Sequence, residues 1–197
     1  MNRRRSGVAL LLVVLTGAAR ADEASAVAAL EKLGAKIKRD ETKPGKPVIQ
    51  VSLGNTGVTD AGLKELKELK QLTTLYLSGA KVTDAGLKEL KGLKQLTTLN
   101  LGDTGVTDAG LKELQEFKQL TALVLYGTKV TDAGLKELKE LKQLTALHLS
   151  RTAVTDAGLK ELKELKQLTY LDINDTKVTL AALKELKEAL PKCDIRP

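Results

Sequence analysis

Across residues 58–177 the apolar positions fall on a fixed grid with two spacings. Leu63, Leu66 and Leu69 stand three apart, with Lys64, Glu65, Lys67, Glu68 and Lys70 on the remaining positions, which predicts a helix with one apolar stripe. From Leu75 the spacing falls to two. Leu75 and Leu77 alternate with Thr74, Tyr76 and Ser78, the pattern of a short strand with one buried and one open face. The opener Val58-Thr59-Asp60-Ala61-Gly62-Leu63 returns at Val82, Val106, Val130 and Val154, and in altered form at Val178-Thr179-Leu180, a period of 24 residues. Thr59 is placed to N-cap its helix, and Asp60 stands at the positive end of the helix dipole.

The flanks read differently. Val27, Leu30 and Leu33 mark a helix ended by Gly34, and 35–39 and 48–53 are strand-like around Pro44-Gly45-Lys46-Pro47, so 22–57 is expected to be an N-terminal cap with a first strand. Five full repeats follow over 58–177. Residues 178–197 are expected to form a capping half-repeat: Leu183, Leu186 and Leu190 give a last helix stopped by Pro191, and Ile195, 24 residues after Leu171, starts one more strand. Residues 1–21 read as a signal peptide, with Arg3, Arg4 and Arg5 before an apolar run from Val8 to Leu15 and the small-residue signal Ala19-Arg20-Ala21. Eight apolar residues span about 12 Å as helix against roughly 30 Å of bilayer hydrocarbon, so export to the periplasm or beyond is expected, without membrane insertion.

Leu72-x-x-Leu75-x-Leu77-x-x-Ala80-x-Val82 and copies such as Leu96-x-x-Leu99-x-Leu101-x-x-Thr104-x-Val106 resemble leucine-rich repeats with a helix in each unit. The VTDAGL opener is similar to that of short exported bacterial leucine-rich-repeat proteins and to the repeats of F-box proteins. The resemblance implies an α/β solenoid, a horseshoe with a parallel β-sheet on the concave face and α-helices on the convex face. Packing leads to the same shape, because strands stack about 4.8 Å apart while helices need roughly 8–10 Å. One departure is that Thr56, Thr104, Thr128, Thr152, Thr176 and Ala80 replace the usual Asn or Cys after the strand. The threonine hydroxyls are expected to bond the adjacent coil, leaving the Ala80 turn looser.

Composition narrows the chemistry. The chain has 197 residues, 42% hydrophobic and 2% aromatic, with one Cys, one His and no Trp, so the core must be aliphatic and neither an internal disulfide nor a multi-Cys zinc site can form. The formal charge is +7, but removal of 1–21 would take away four arginines and no acid, leaving +3 and no charge argument for nucleic acid.

Variation inside the chain is uneven. Segments 58–73, 130–145 and 154–169 are identical over all 16 residues, whereas the middle strand position runs Ser52, Tyr76, Asn100, Val124, His148, Asp172. The candidate binding residues on the concave face are Tyr76, Asn100, Asp103, Tyr126, His148, Arg151, Tyr170, Asp172, Asn174 and Asp175, a mixture of aromatic anchors and polar groups suited to macromolecular recognition. No catalytic residue, metal ligand or cofactor is assigned. A hydrolytic trio of His148, Asp172 and Ser150 would lack an oxyanion hole on an open ladder; Asp172, Asn174 and Asp194 lack the loop spacing of an EF-hand; and Asn174-Asp175-Thr176 is a glycosylation sequon. The reading is an exported, non-catalytic module that binds a protein with its concave sheet, with carbohydrate as the second ligand class. An intracellular F-box-like adaptor in ubiquitin transfer is the alternative, disfavoured because such a domain needs about 40 residues ahead of the repeats.

Overall fold

A computed structural model describes residues 22–197; the expected signal segment lies outside the described residues. Residues 22–32 are helical, and the helix ends at Gly34, whose φ of +87° is the left-handed C-terminal turn that glycine adopts without strain. Strands β1 (Lys36–Arg39) and β2 (Val48–Ser52) form an antiparallel hairpin. Then come β3 (Thr74–Tyr76), β4 (Thr98–Asn100), β5 (Ala122–Val124), β6 (Ala146–His148), β7 (Tyr170–Asp172) and β8 (Asp194–Arg196). All eight belong to one sheet in chain order, parallel from β2 onward. The register is the repeat length: Leu75 pairs with Leu99, Leu99 with Leu123, and so on to Leu171 with Ile195. Every leucine of 58–177 is buried. The core is thus a column of stacked leucine layers between the sheet and the helical face.

Helical winding varies although the sequence does not. The segment of the first repeat, Asp60–Glu68, is a 3-10 helix throughout. In the fourth, Asp132–Leu135 is α-helical and Lys136–Glu140 is 3-10; in the fifth, Asp156–Leu162 is α-helical. These three segments have the same residues. A leucine at every third position matches the 3.0-residue turn of a 3-10 helix better than the 3.6 of an α-helix, and the two hydrogen-bond patterns exchange easily near helix ends. The convex face therefore carries short mixed turns, with α-helix throughout only in the second, fifth and last units: Asp84–Glu89, Asp156–Leu162 and Leu180–Ala189.

The invariant opener is explained by contacts between coils. Thr83 donates its backbone N–H (2.8 Å) and its hydroxyl (2.7 Å) to the two carboxylate oxygens of Asp60 in the preceding repeat. The same pair of bonds joins Thr107 to Asp84, Thr131 to Asp108, Thr155 to Asp132 and Thr179 to Asp156. The Asp thus serves the next coil as well as its own helix end. Each glycine of the opener leaves room for that carboxylate, since a Cβ on Gly86, Gly110, Gly134 or Gly158 would overlap the Oδ1 of the Asp one repeat earlier. Thr83, Thr107, Thr131 and Thr155 also cap their helices by accepting the N–H of Ala85, Ala109, Ala133 and Ala157. Thr59, expected to do the same, makes no such bond. No repeat precedes it to supply an Asp, and at this end the cap side chain Leu33 packs against Gly62 instead.

A second ladder runs along the strand entries, where Thr97, Thr121, Thr145 and Thr169 donate their hydroxyls to the carbonyl of the threonine one coil back. On the convex face Lys67–Glu89 (2.6 Å), Lys91–Glu113 (2.8 Å) and Lys163–Glu185 (3.2 Å) pair between coils. The threonines after the strands behave otherwise than expected. Thr104, Thr128 and Thr152 donate to the carbonyl three residues back in their own coil, each at 2.6 Å. At Ala80 the backbone N–H reaches the equivalent carbonyl of Leu77 at 3.0 Å, so the turn closes without a hydroxyl.

The array ends where the opener changes. Leu180 occupies the Asp position and is 81% exposed, and Ala182 occupies the glycine position. Asp156 still makes both bonds to Thr179, whose hydroxyl here accepts from the third residue on, Ala182, instead of the second, so the last coil keeps its joint to the preceding one and lacks only a carboxylate for a further coil.

The ladder makes a quantitative prediction. Asp108→Ala should cost about 1–2 kcal/mol through its two lost bonds. Gly134→Ala should also destabilise despite alanine's helix propensity advantage of about 1 kcal/mol, because its Cβ displaces the Asp108 carboxylate. In the double variant the Gly134→Ala penalty should shrink by about 1 kcal/mol or more, as read by urea titration; strict additivity would mean that the carboxylate and the glycine do not interact.

Candidate functional site

The outward side chains of the parallel strands form rows, because each strand repeats its neighbour's register. The middle row is Ser52, Tyr76, Asn100, Val124, His148, Asp172 and Arg196. The row at the strand starts is Gln50, Thr74, Thr98, Ala122, Ala146, Tyr170 and Asp194. Just past the strand ends lie Ser78, Gly102, Tyr126, Ser150 and Asn174. Tyr76, Asn100, Tyr126, His148, Tyr170 and Asp172 are half-buried, and Asp103, Arg151, Asn174 and Asp175 are exposed.

Two contacts span three coils each across a glycine. Tyr126 lies over Gly102, where a Cβ would overlap its ring, and its hydroxyl pairs with Ser78 Oγ at 2.6 Å. The Asp103 carboxylate lies over Gly127, where a Cβ would overlap its Oδ1, and the Arg151 guanidinium stands 3.9 Å from it. Tyr126 therefore contributes to the sheet surface as a strap, whereas the hydroxyl of Tyr76 has no hydrogen-bond partner among the described residues.

Backbone conformation accounts for another part of the variation. Asn55, Gly79, Asp103, Gly127, Arg151 and Asp175, 24 residues apart, all have positive φ, between 51° and 69°. Glycine, asparagine and aspartate tolerate that region, so the choice at Asp103 and Asp175 answers to the turn as well as to any ligand. Sequence reasoning missed this signal, although the recurrence of Asn, Gly and Asp at one register carries it.

The densest polar group is at the C-terminal end of the sheet. His148 Nδ1 lies 3.6 Å from Asp172 Oδ2, and the rings of His148 and Tyr170 are 5.0 Å apart at 42°. Asp172 Oδ1 accepts the backbone N–H of Asn174 at 3.1 Å and its amide at 2.6 Å. Burial acts to raise the Asp172 pKa, but the Asn174 bonds, the Ser150 hydroxyl and the His148 ring outweigh it and hold the carboxyl below its ordinary value. Ser150 is turned to the carboxylate, whereas a hydrolytic trio needs the hydroxyl on the imidazole. Asp194 is bonded to Arg196, at 2.9 Å. Among the described residues no three His, Cys, Asp or Glu side chains are grouped to hold a metal ion. Cys193 is buried, and that burial pushes its thiol up.

The architecture is that of a parallel α/β solenoid whose coils are joined by side-chain ladders. A family model described as Zer-1-like leucine-rich repeats matches residues 87–196, and one for a single leucine-rich repeat matches residues 70–91. The first spans more than half of the sequence, and the chain belongs to the leucine-rich-repeat proteins. Among solved structures it is similar to an internalin (inlF) from Listeria monocytogenes, at 24% identity and a TM-score of 0.57, over 68% of this chain and 36% of that one. It is also similar to an internalin C2 of the same organism, at 20% identity and a TM-score of 0.51, over 78% of this chain and 87% of that one. The chain spans about a third of the first internalin's length, and at these identities the likeness is one of fold. No curated protein matches the sequence.

The strap can be tested by itself. Tyr126→Phe should lower stability by about 0.5–1.5 kcal/mol in urea titration through loss of the Ser78 bond, and Ser78→Ala should add almost nothing to it. Full additivity of the two substitutions would show that the strap bond contributes nothing.

Proposed function

We propose that the chain is an exported, non-catalytic binding module that presents its concave sheet to a protein partner. The observation that carries this reading is the contrast within the repeats. The residues that form the ladders recur almost without change, while the middle outward row differs on every strand and lies on one continuous face. No glycine-crossing contact accounts for that row, and local turns account for it only at Asn100 and Asp172, which accept the backbone N–H groups of Gly102 and Asn174. Tyr76, Asn100, His148, Tyr170 and Asp172 form the centre of the proposed surface; Asp103, Tyr126, Arg151, Asn174 and Asp175 border it and also serve the structure locally. Membership of the leucine-rich-repeat proteins and the open, pocketless shape of the sheet support recognition over catalysis. Carbohydrate is the second ligand class for the same aromatic and carboxylate groups.

In capture experiments with the chain from Asp22 onward, Tyr76→Ala with Tyr170→Ala should abolish retention of the partner while leaving the urea midpoint nearly unchanged. Buried interface aromatics are each worth about 2 kcal/mol or more. Tyr126 is kept in this variant because of its strap. Lys64, Lys88 and Lys112 changed to Gln should bind normally, and the reverse outcome would move function to the convex face. Export itself should yield a chain beginning at Asp22, as read by intact mass; retention of Arg3 to Arg5 would overturn the compartment.

A further inference from the structure

The concave sheet is electrically polarised along its length. At one end β1 is antiparallel, and its pairing of Lys36 with Ser52 and Lys38 with Gln50 places both lysines on the same outward face as the rows described above. Both are exposed. The outward strand positions from β2 to β5 are Gln50, Ser52, Thr74, Tyr76, Thr98, Asn100, Ala122 and Val124, none of them charged. The far end carries Asp172, Asp175 and Asp194 against two guanidiniums, Arg196, which is bonded to Asp194, and Arg151, which faces Asp103. Asp172 Oδ1 is taken by Asn174 and the Ser150 hydroxyl stands by the same carboxyl, while Oδ2 faces His148 at 3.6 Å, longer than a hydrogen bond, with the tilted rings of His148 and Tyr170 beside it. A carboxylate kept ionised beside aromatic rings is suited to a guanidinium or ammonium group, which gains a charge pair and a ring face together.

We infer that this face takes a bipolar protein segment about 30 Å long, with acidic residues over Lys36 and Lys38 and a basic residue against Asp172 beside Tyr170. The inference rests on the proposed binding role of the concave sheet and specifies the chemistry of what binds there. The length follows from six strand spacings of about 4.8 Å between β1 and β7. The strand positions of the midsection are uncharged, the Asp103 and Arg151 charges at their border face each other, and Tyr76 stands two strands from the lysines as an anchor. Opposite charges at the two ends also fix the direction in which a partner lies, because reversal sets acid against Asp172 and base against the lysines.

The test uses defined peptides and an isotope-labelled chain from Asp22 onward at low ionic strength. In nuclear magnetic resonance titrations, hexaglutamate should shift signals around Lys36 and Lys38, and hexaarginine those around His148, Tyr170 and Asp172. A triglutamate and a triarginine joined by nine prolines, about 28 Å of extended spacer, should bind at least tenfold more tightly than the same ends joined by three. That gain should vanish in Asp172→Asn and in Lys36→Ala with Lys38→Ala, both of which change half-exposed or exposed positions. Equal affinity for the two spacers, or glutamate shifts centred on Lys64, Lys88 and Lys112, would overturn the inference. Equal affinity together with loss of capture in the Tyr76 and Tyr170 variant would overturn only the bipolar segment and leave the binding face standing.

Discussion

Each coil depends on a carboxylate that belongs to its neighbour. The Asp of one opener satisfies the backbone N–H and the hydroxyl of the next opener's Thr, and in the full repeats the next Gly leaves the space that it occupies. Thr, Asp and Gly are therefore coupled across 24 residues, and a change in one is felt in the adjoining coil. The leucine column supplies apolar burial, which is non-directional and would tolerate small slips between coils. The carboxylate ladder, the threonine ladder at the strand entries and the convex ion pairs are directional, and together they pin the register. This explains why a 16-residue segment can recur without change in three places while the surface row does not.

How much could be read beforehand differs from residue to residue. The two spacings of Leu63–Leu69 and Leu75–Leu77 were enough for a helical stretch, a strand and a parallel stack, because burial periodicity is a local property. The winding of the helical stretch was not, since identical residues over 60–68, 132–140 and 156–164 adopt different mixtures of 3-10 and α turns according to the coils beside them. Asp60 was read as a partner for its own helix, because a single repeat contains no sign of the Thr83 it reaches. Thr104 was expected to reach outward and instead bonds its own coil; the distance to Leu101 is set by a turn that the motif alone does not specify. At the candidate site the placement of Tyr76, His148, Tyr170 and Asp172 on one face followed from alternation. The strap of Tyr126 over Gly102 and the left-handed backbone at Asp103 and Arg151 did not, since both depend on contacts or dihedrals spanning several coils.

These structural roles divide the variable residues into two kinds. Gly102, Tyr126 and Ser78 act as a set, and so do Asp103, Gly127 and Arg151, because a side chain that reaches onto a neighbouring coil needs a glycine there. In the middle row Asn100 and Asp172 accept the backbone N–H groups of Gly102 and Asn174, His148 meets Asp172 and Arg196 bonds Asp194, but none of these contacts requires a glycine on another coil. Differences in that row leave the ladders between coils untouched.

The altered last opener also bears on how such a chain can lengthen. With Leu180 in place of the carboxylate, the C-terminal coil offers no ladder partner for the threonine of a new unit. Units can be copied between existing coils, where both halves of the joint are present, and the adjacent identical stretches 130–145 and 154–169 have the form such a copy would leave. The insertion point still matters. A unit added between the first and third repeats would pull Tyr126 away from Ser78, and one added between the second and fourth would part Arg151 from Asp103. Between the fourth and fifth a new unit would separate His148 from Asp172 and Tyr170, and Ser150 from Asp172, contacts that join adjacent coils and span no third one. The array is thus most open to growth near its C-terminal end, one joint short of the terminus, where an added coil would lengthen the neutral span between the lysines of β1 and the carboxylates of β7.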